Sequence, residues 1–470
     1  MPAAPRRLLL LTRLLLLTLS ALALPAQDSP RAEVPPHIVL FLADDLGYGD
    51  VGFHGSRIPT PHLDGLAAAG ARLEQFYVQP VCSPTRAALL TGRYPMRLGL
   101  QCGVVRPWAE HGLPLDERTL ADALHDVGYT TAICGKWHLG HARREQLPTR
   151  RGFDRQYGPY NGAIDYFTHL RDGGLDWHEN DAASHDEGYA TELLADHAVG
   201  ILAAHDPQVP LFLYVPFNAP HTPLQAPKEW LEKFAGIEDR AQRSYAAMVA
   251  AMDAAIGRIL AALDEHGFEP ERTLVLFLSD NGGITAFGSN GPFRGQKGQL
   301  HEGGIRVPAL LRWPGRVAAG AVVTTPLHVV DLYPTLLRLA GARLDQGKDL
   351  DGRDLWPSLT AEGSAGDREI LHNVTPWSGA LRVGRWKLVH NGTVPANAVA
   401  GPREDRFELF DIEADPGERN DRADAEPELL ATLRARLAAH RAAAAMPIIP
   451  PNEAPNGFRV PKVWGETSRD

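Results

Sequence analysis

A doubly wound α/β fold around a mostly parallel sheet is predicted for this 470-residue chain by three observations. Four continuous apolar runs have strand length, polar residues follow the carboxyl end of each, and segments of helical apolar spacing lie between them. Continuous rather than alternating runs imply strands covered on both faces, as in a parallel sheet flanked by helices. Ligands bind such sheets outside the carboxyl ends of the strands, so the polar residues there mark the expected site.

Taken in order, HIVLFLA (His37 to Ala43) runs into Asp44 and Asp45. In PVCSPTRAALLTGRYP, Ser83 suits an N-cap and Pro84 a first helical position, which predicts a helix through AALLTG to Gly92. Leu120, Ala123, Leu124 and Val127 before Gly128 predict a second helix, and TTAICG (Thr130 to Gly135) then runs into Lys136 and His138. Leu193, Leu194, His197, Ala198, Ile201 and Leu202 keep helical spacing before LFLYVPF (Leu211 to Phe217), which is followed by His221. A longer helix is predicted from Tyr245 to Leu263, and TLVLFLS (Thr273 to Ser279) ends at Asp280 and Asn281.

Near residue 345 the Gly- and Asp-rich DQGKDLDGRDLWPSL suggests a boundary. Beyond it ALRVGRWKLVH and FELFDI predict a small antiparallel sheet, and PELLATLRARLAAHRAAAA a closing helix. The tail PIIPPNEAPNGFRVPKVWGE holds too much proline for regular structure, but Phe458, Val463 and Trp464 predict that it packs on the body. The expected division is a leader at 1–26, a main domain at 35–345, a C-terminal α+β subdomain at 346–445 and a proline-rich tail at 446–470.

Lys and Arg number 47 against 57 Asp and Glu, a formal charge of -10, with no basic run; this argues against a nucleic-acid platform. The acidic balance also favours a short substrate entering a pocket over a long polyanion held along a surface. Arg6 and Arg7, the apolar stretch Leu14 to Leu24, and Ala21, Ala23 and Ala26 have the layout of a secretory signal. That stretch is too short to span a bilayer and no later one approaches that length, so export without a stable membrane anchor is expected. Three cysteines do not make a disulfide framework. Cys134, in an apolar run, reads as a buried thiol; Cys102 and Cys134 could pair, but the sequence does not bring them together.

Cys82 stands apart. At a helix start it would face backbone N–H groups and the positive end of the dipole, a seat for a tetrahedral anion, with Arg86 one turn on to add a forked pair of donors. Asp44, Asp45, Asp280 and Asn281 gather three carboxylates and an amide oxygen at neighbouring strand ends, a self-repelling set without a cation. Oxygen ligands of this kind suit Ca²⁺, or less well Mg²⁺, rather than zinc; the structural alternative is that each pair caps the helix that follows.

CSPTR followed by ALLTGRYP resembles the signature of the type I sulfatases, in which the cysteine of C-x-P-x-R is oxidised to Cα-formylglycine (3-oxoalanine). FLADDLGYGDVGFHG, TPHLDGLAAAG, CGKWHLGH, LPTRRGFD, APHTPLQAP, SDNGG, RGQKGQLHEGGIRVP and ELFDIEADPGERND extend the resemblance over nearly the whole chain after the leader. GFHGS, LPTRRGFDRQYG and RYPMRLGLQ are similar to the arylsulfatase B, or N-acetylgalactosamine-4-sulfatase, group. The resemblance implies an alkaline phosphatase-like fold, a large mostly parallel mixed sheet sandwiched by helices. It implies sulfate-ester hydrolysis by a formylglycine hydrate, with calcium held by Asp44, Asp45, Asp280, Asn281 and the modified Cys82. Arg86 and Lys136 would contact sulfate, Asp280 would activate the attacking hydroxyl, and His138 would collapse the sulfated intermediate. His221 and Lys297 would bracket the leaving oxygen, one of them giving it a proton.

The same resemblance implies a sulfated carbohydrate or aryl sulfate as substrate, a formylglycine-generating or sulfatase-maturing enzyme as partner, and a periplasmic or secreted location, lysosomal only in a eukaryote. His54, Arg93, His301 and Glu302 lie in matching segments and could either touch substrate or pack behind the site. Trp177 and His178 could line a sugar subsite or fill a loop. The rival functions are a phosphatase or phosphodiesterase of the same superfamily, with Cys82 kept as thiol, and a non-catalytic glycan-binding homologue.

Overall fold

The computed structural model describes Met1 and residues 35–345, 347–359, 368–392, 405–449 and 451–466. The remainder of the expected leader lies outside the described residues. The large sheet has ten strands: β1 (His37–Ala43), β2 (Ala71–Leu73), β3 (Thr130–Cys134), β4 (Arg155–Gly158), β5 (His178–Glu179), β6 (Ala182–Ala183), β7 (Leu211–Pro216), β8 (Thr273–Ser279), β9 (Ala309–Arg312) and β10 (Ala321–Val323). Their order is β10-β2-β9-β8-β1-β7-β3-β4-β5-β6.

The four predicted runs form the centre, β8-β1-β7-β3, and every pairing among them is parallel. Val39 lies opposite Leu213 on one side and Val275 on the other. All seven residues of β1 and of β8 are buried, as continuous apolar runs require. Antiparallel pairings of β9 with β8 and of β5 with β4 make the sheet mixed towards its edges.

Alternate side chains of β1 enter two separate cores. Ile38, Leu40 and Leu42 meet Ala87 and Leu90 of helix Cys82–Thr91, Leu124 of helix Leu120–His125 and Leu336 of helix Leu332–Leu339. Val39, Phe41 and Ala43 meet Leu66 of helix Pro61–Ala69, Leu194 of helix Ala190–Ala204, and Met248 and Ile256 of helix Arg240–Glu265. Burying each large apolar chain contributes about 1.5–3 kcal/mol, so a polar residue at Phe41 would break the layer.

Two expectations need correction. The 26-residue helix Arg240–Glu265 is long and apolar enough by composition to cross a membrane, contrary to the expectation that no segment after the leader approaches that length. Its apolar face is instead buried on the sheet, with Met248, Met252 and Ile256 at 0% exposure. The helix Cys82–Thr91 starts at Cys82, one position before the predicted cap. Extended Val81 precedes it and Ser83 is inside, because the Ser83 hydroxyl is used elsewhere: it donates to the His138 carbonyl at 2.9 Å and accepts from Val105 N at 3.0 Å. Gly92, at φ +67°, ends the helix where expected.

A four-stranded antiparallel sheet follows, β11 (Glu369–His372), β12 (Gly379–Val383), β13 (Trp386–His390) and β14 (Phe407–Asp411), in consecutive order. Leu381, Leu388 and Leu409 join the first core with Leu433 and Leu437 of the closing helix Pro427–Ala442. The tail packs as predicted: Trp464 is 3% exposed, its backbone N donates to Leu175 O at 2.9 Å, and its indole N–H donates to Arg171 O at 2.9 Å.

Candidate active site

The carboxyl ends of the central strands deliver the polar residues to one place. Asp44 and Asp45 leave β1, Asp280 and Asn281 leave β8, Lys136 follows β3, and His221 follows β7. Cys82 enters from the first turn of its helix, 2% exposed, with its thiol 3.5 Å from Asp44 Oδ1. Ligating atoms of Asp44, Asp45, Cys82 and His221 lie within 4.8 Å of one another. Asp280 joins through its Oδ1, which accepts from Asp45 N at 3.3 Å, and the Asn281 amide donates to Asp45 Oδ1 at 2.6 Å. Asp45 and His138 both have left-handed backbones, φ +66° and +59°, unusual for residues with a Cβ and common at functional sites.

Each carboxylate has a cationic partner. Lys136 Nζ is 2.6 Å from Asp44 Oδ2, and Lys297 Nζ is 2.7 and 2.8 Å from the two oxygens of Asp45. Arg86 places Nε and Nη2 on Asp280 Oδ2 at 3.1 and 2.9 Å and donates from Nη1 to the Lys136 carbonyl at 2.8 Å. Its fork is therefore engaged with Asp280, where the sequence suggested it would face an anion directly. His221 Nε2 lies 3.6 Å from Asp45 Oδ2, with Nδ1 2.6 Å from Thr222 O. His138 Nε2 lies 3.0 Å from Val105 O, leaving Nδ1 buried without a partner. A cleft of about 340 Å³, lined by Cys82, His138, His221 and Lys297, opens above this floor.

Residues 36–342 match the Sulfatase family, and residues 293–443 match the family described as N-sulphoglucosamine sulphohydrolase, C-terminal. The chain belongs to the sulfatase family. Mouse arylsulfatase J is 39% identical, covering 92% of this chain and 80% of its own length. Mouse N-acetylgalactosamine-6-sulfatase is 36% identical, covering 86% of this chain and 85% of its own. Among solved structures, Ps i-CgsB superimposes with a TM-score of 0.81 at 33% identity, over 88% of this chain and 94% of the other. The chain is thus a sulfuric ester hydrolase on an alkaline phosphatase-like scaffold, as its motifs implied.

The electrostatics of this sulfatase site follow from burial and close charges. Burial, and after it the Asp44 charge, raise the Asp280 carboxyl to about 6 against the pull of Arg86. Burial would raise Asp45 too, but Lys297 and His221 hold it at about 2. Burial and then Lys297 lower His221 to about 3. Burial, with Lys136 and Arg86 beside it, keeps His138 far below the usual imidazole range. The neutral His138 ring, with Nε2–H on Val105 O, presents a bare Nδ1 lone pair. Burial pushes the Cys82 thiol up to about 12 despite Lys136 and Lys297, so the unmodified side chain is a protonated thiol and a poor nucleophile.

A divalent cation can be tested against these donors. The three carboxylates are covered by Lys136, Lys297 and Arg86, so their repulsion alone does not demand a metal. Asn281 Oδ1 does point to one: it is buried, without any hydrogen-bond partner, beside Asp45 and Asp280. An amide oxygen among carboxylates is a hard oxygen set, which fits calcium or magnesium. Neither acid pair caps a helix through its side chains.

The remaining candidates pack behind the site. His54 Nδ1 lies 2.8 Å from Tyr48 O, and Arg93 lies 3.2 Å from Glu117. His301 is 3.2 Å from Glu408, and Glu302 is buried against Lys387 and Tyr77. Trp177 is fully buried beside Tyr157, and the ring of His178 sits 2.7 Å from Trp464 O; neither lines the cleft. Cys102 and Cys134 are free and buried. Sequence reasoning missed Val105 and Thr222, whose carbonyls orient the two histidines, because any residue supplies a carbonyl. It also missed Gly162, where a Cβ would lie 2.4 Å from the His138 ring.

Proposed function

We propose that this sulfatase acts on a sulfated carbohydrate of the N-acetylgalactosamine-4-sulfate kind, after Cys82 has been converted to formylglycine by a maturing enzyme. The observation that carries the reading is the single cleft in which Cys82 faces Lys297, His221 and His138 above the paired aspartates. A buried thiol raised to about 12 also speaks against a reaction run on unmodified sulfur. When present, the aldehyde hydrate supplies two hydroxyls, one to attack sulfur and one to drive sulfate release.

Asp44, Asp45, Asp280, Asn281 and residue 82 would hold calcium, which supplies positive charge where the sulfate gathers negative charge. Asp280 accepts the proton of the attacking hydroxyl; its raised affinity for protons suits that task. Lys136 and Arg86 neutralise the sulfate side, Arg86 by holding Asp280 and the Lys136 backbone in place. His138, anchored on Val105 O, offers Nδ1 to take the last proton as sulfate leaves.

For the leaving alcohol we assign the proton to Lys297, because His221, lowered to about 3, is a neutral imidazole whose one N–H is held by Thr222 O. Thr222 O fixes Nδ1 of His221 and leaves Nε2 facing the cleft floor. Lys297, raised above the usual amine range by Asp45 against the effect of burial, stays protonated, and the bare Nε2 of His221 beside it can accept a hydrogen bond from the substrate. An exported enzyme, periplasmic or secreted, accords with the leader at 1–26. The functional division remains a catalytic domain at 35–345, a C-terminal subdomain at 346–445 and a tail at 446–470.

The test is intact-mass analysis of active protein together with a panel of defined sulfated sugars assayed for released sulfate. The mass of an aldehyde at residue 82 and turnover of 4-sulfated N-acetylgalactosamine are expected. A fully active preparation that retains every thiol would sink the modification, and turnover of other sugars alone would sink the substrate.

A further inference from the structure

The cleft above Cys82 carries more positive charge than one sulfate ester requires. Among the described residues no Asp or Glu lines it, in a chain of net charge -10, whereas Lys297, Arg106 and Arg171 all do. Lys297 is committed to Asp45 at the floor. The two arginines come from elsewhere: Arg106 follows Val105, which orients His138, and Arg171 lies in the short hairpin Leu170–Leu175.

Neither arginine is fully satisfied. Among the described residues Arg106 has no carboxylate partner; its Nη2 donates to Asn452 Oδ1 at 3.3 Å, and its Nε is buried without any partner. Arg171 lies 3.2 Å from Asp172 through Nε alone. Burial, and after it the like charge of Arg171, pull Arg106 below the usual guanidinium range. Two guanidinium groups of like charge beside a cleft lined by no described acidic residue suit an anionic ligand.

We propose that Arg106 and Arg171 form a second anion subsite that receives a carboxylate or a second sulfate on the part of the substrate beyond the scissile ester. The claim extends the sulfated-carbohydrate reading but rests on charge in the cleft, not on the sugar. The tail belongs to this subsite, because Asn452 holds Arg106 and Trp464 holds the Arg171 backbone. The substrate would then be at least dianionic.

The test compares p-nitrophenyl sulfate with the same aryl sulfate carrying a ring carboxylate, and 4-sulfated N-acetylgalactosamine with its uronate-bearing disaccharide and its 4,6-disulfated form. Wild-type enzyme should favour the second-anion member of at least one pair. In Arg106→Gln/Arg171→Gln that preference in kcat/KM should shrink roughly ten- to hundredfold, mainly through KM. Arg106→Lys should retain part of it. The carboxylate and disulfate arms tell the two anions apart. The same preference in wild-type and double variant, or none in wild type, overturns the proposal. Discrimination between the aryl sulfates with no sugar turned over would overturn the carbohydrate reading and leave the subsite standing.

Discussion

The floor and the mouth of the cleft handle charge in opposite ways. At the floor Asp44, Asp45 and Asp280 are each matched by a cation, Lys136, Lys297 and Arg86, and all six side chains are at least four-fifths buried. At the mouth, among the described residues, Arg171 has only the exposed Asp172 as a carboxylate partner and Arg106 has none. The floor is complete before substrate arrives and so can be preorganised for chemistry. The mouth is left uncompensated, which suits recognition.

The largest expected effect tests the floor. Cys82→Ala should lower sulfate release by roughly 10⁴-fold or more, with little change in the melting midpoint, because it removes a nucleophile and leaves every ion pair intact. Near-normal turnover in this variant would show that the floor serves another residue.

Next comes Lys136→Ala, expected to cost about 10²–10³-fold in kcat. It should also cost about 3–5 kcal/mol of stability by stranding Asp44 as a buried, unpaired charge. Lys136→Ala combined with Asp44→Asn should recover much of the stability and none of the activity. Equal recovery of both would mean that the pair is only structural.

Cation removal should act more mildly and with a defined pH sign. The Asp280 carboxyl is raised from 3.8 to about 6, so its stabilising contribution to the metal-free fold is full below 3.8 and gone above about 6. The Asp45 contribution has the opposite sign, present above 3.8 and lost as pH falls through about 2. Chelated protein should therefore lose thermal stability as pH rises from about 4 to 6, and calcium should restore it, most clearly at neutral pH. A flat melting profile with no calcium response would argue against a cation beside Asp280. The smallest effect belongs to the mouth: raising salt from about 0.05 to 0.5 M should raise KM several-fold for a second-anion substrate and less for p-nitrophenyl sulfate. Equal salt effects would erase the contrast between the two regions.

The floor was legible in the sequence because its residues are tied to strand ends. An apolar run of seven residues places Asp44 and Asp45 within a step of certainty, and the same logic places Asp280, Lys136 and His221. What failed was local detail governed by distant partners. Ser83 looks like a cap, but Val105 and His138 claim its hydroxyl. Arg86 looks free to meet substrate, but Asp280 takes its fork. The strand Glu369–His372 is too short to show a period and exists through its pairing with β12. The mouth was illegible for the same reason at larger scale, since residues 106, 171 and 452 meet only after three loops have folded together.

Cys82 lies at the bottom of the cleft, with almost none of its surface open to water. A tailoring enzyme would need to wrap the residues on either side of it, and those are already part of the packed interior: Ser83, Thr85 and Arg86 are each at 0% exposure. The proposed conversion of Cys82 by another protein would therefore have to precede folding, while the chain around it is still extended, a consequence of how deep the cysteine lies.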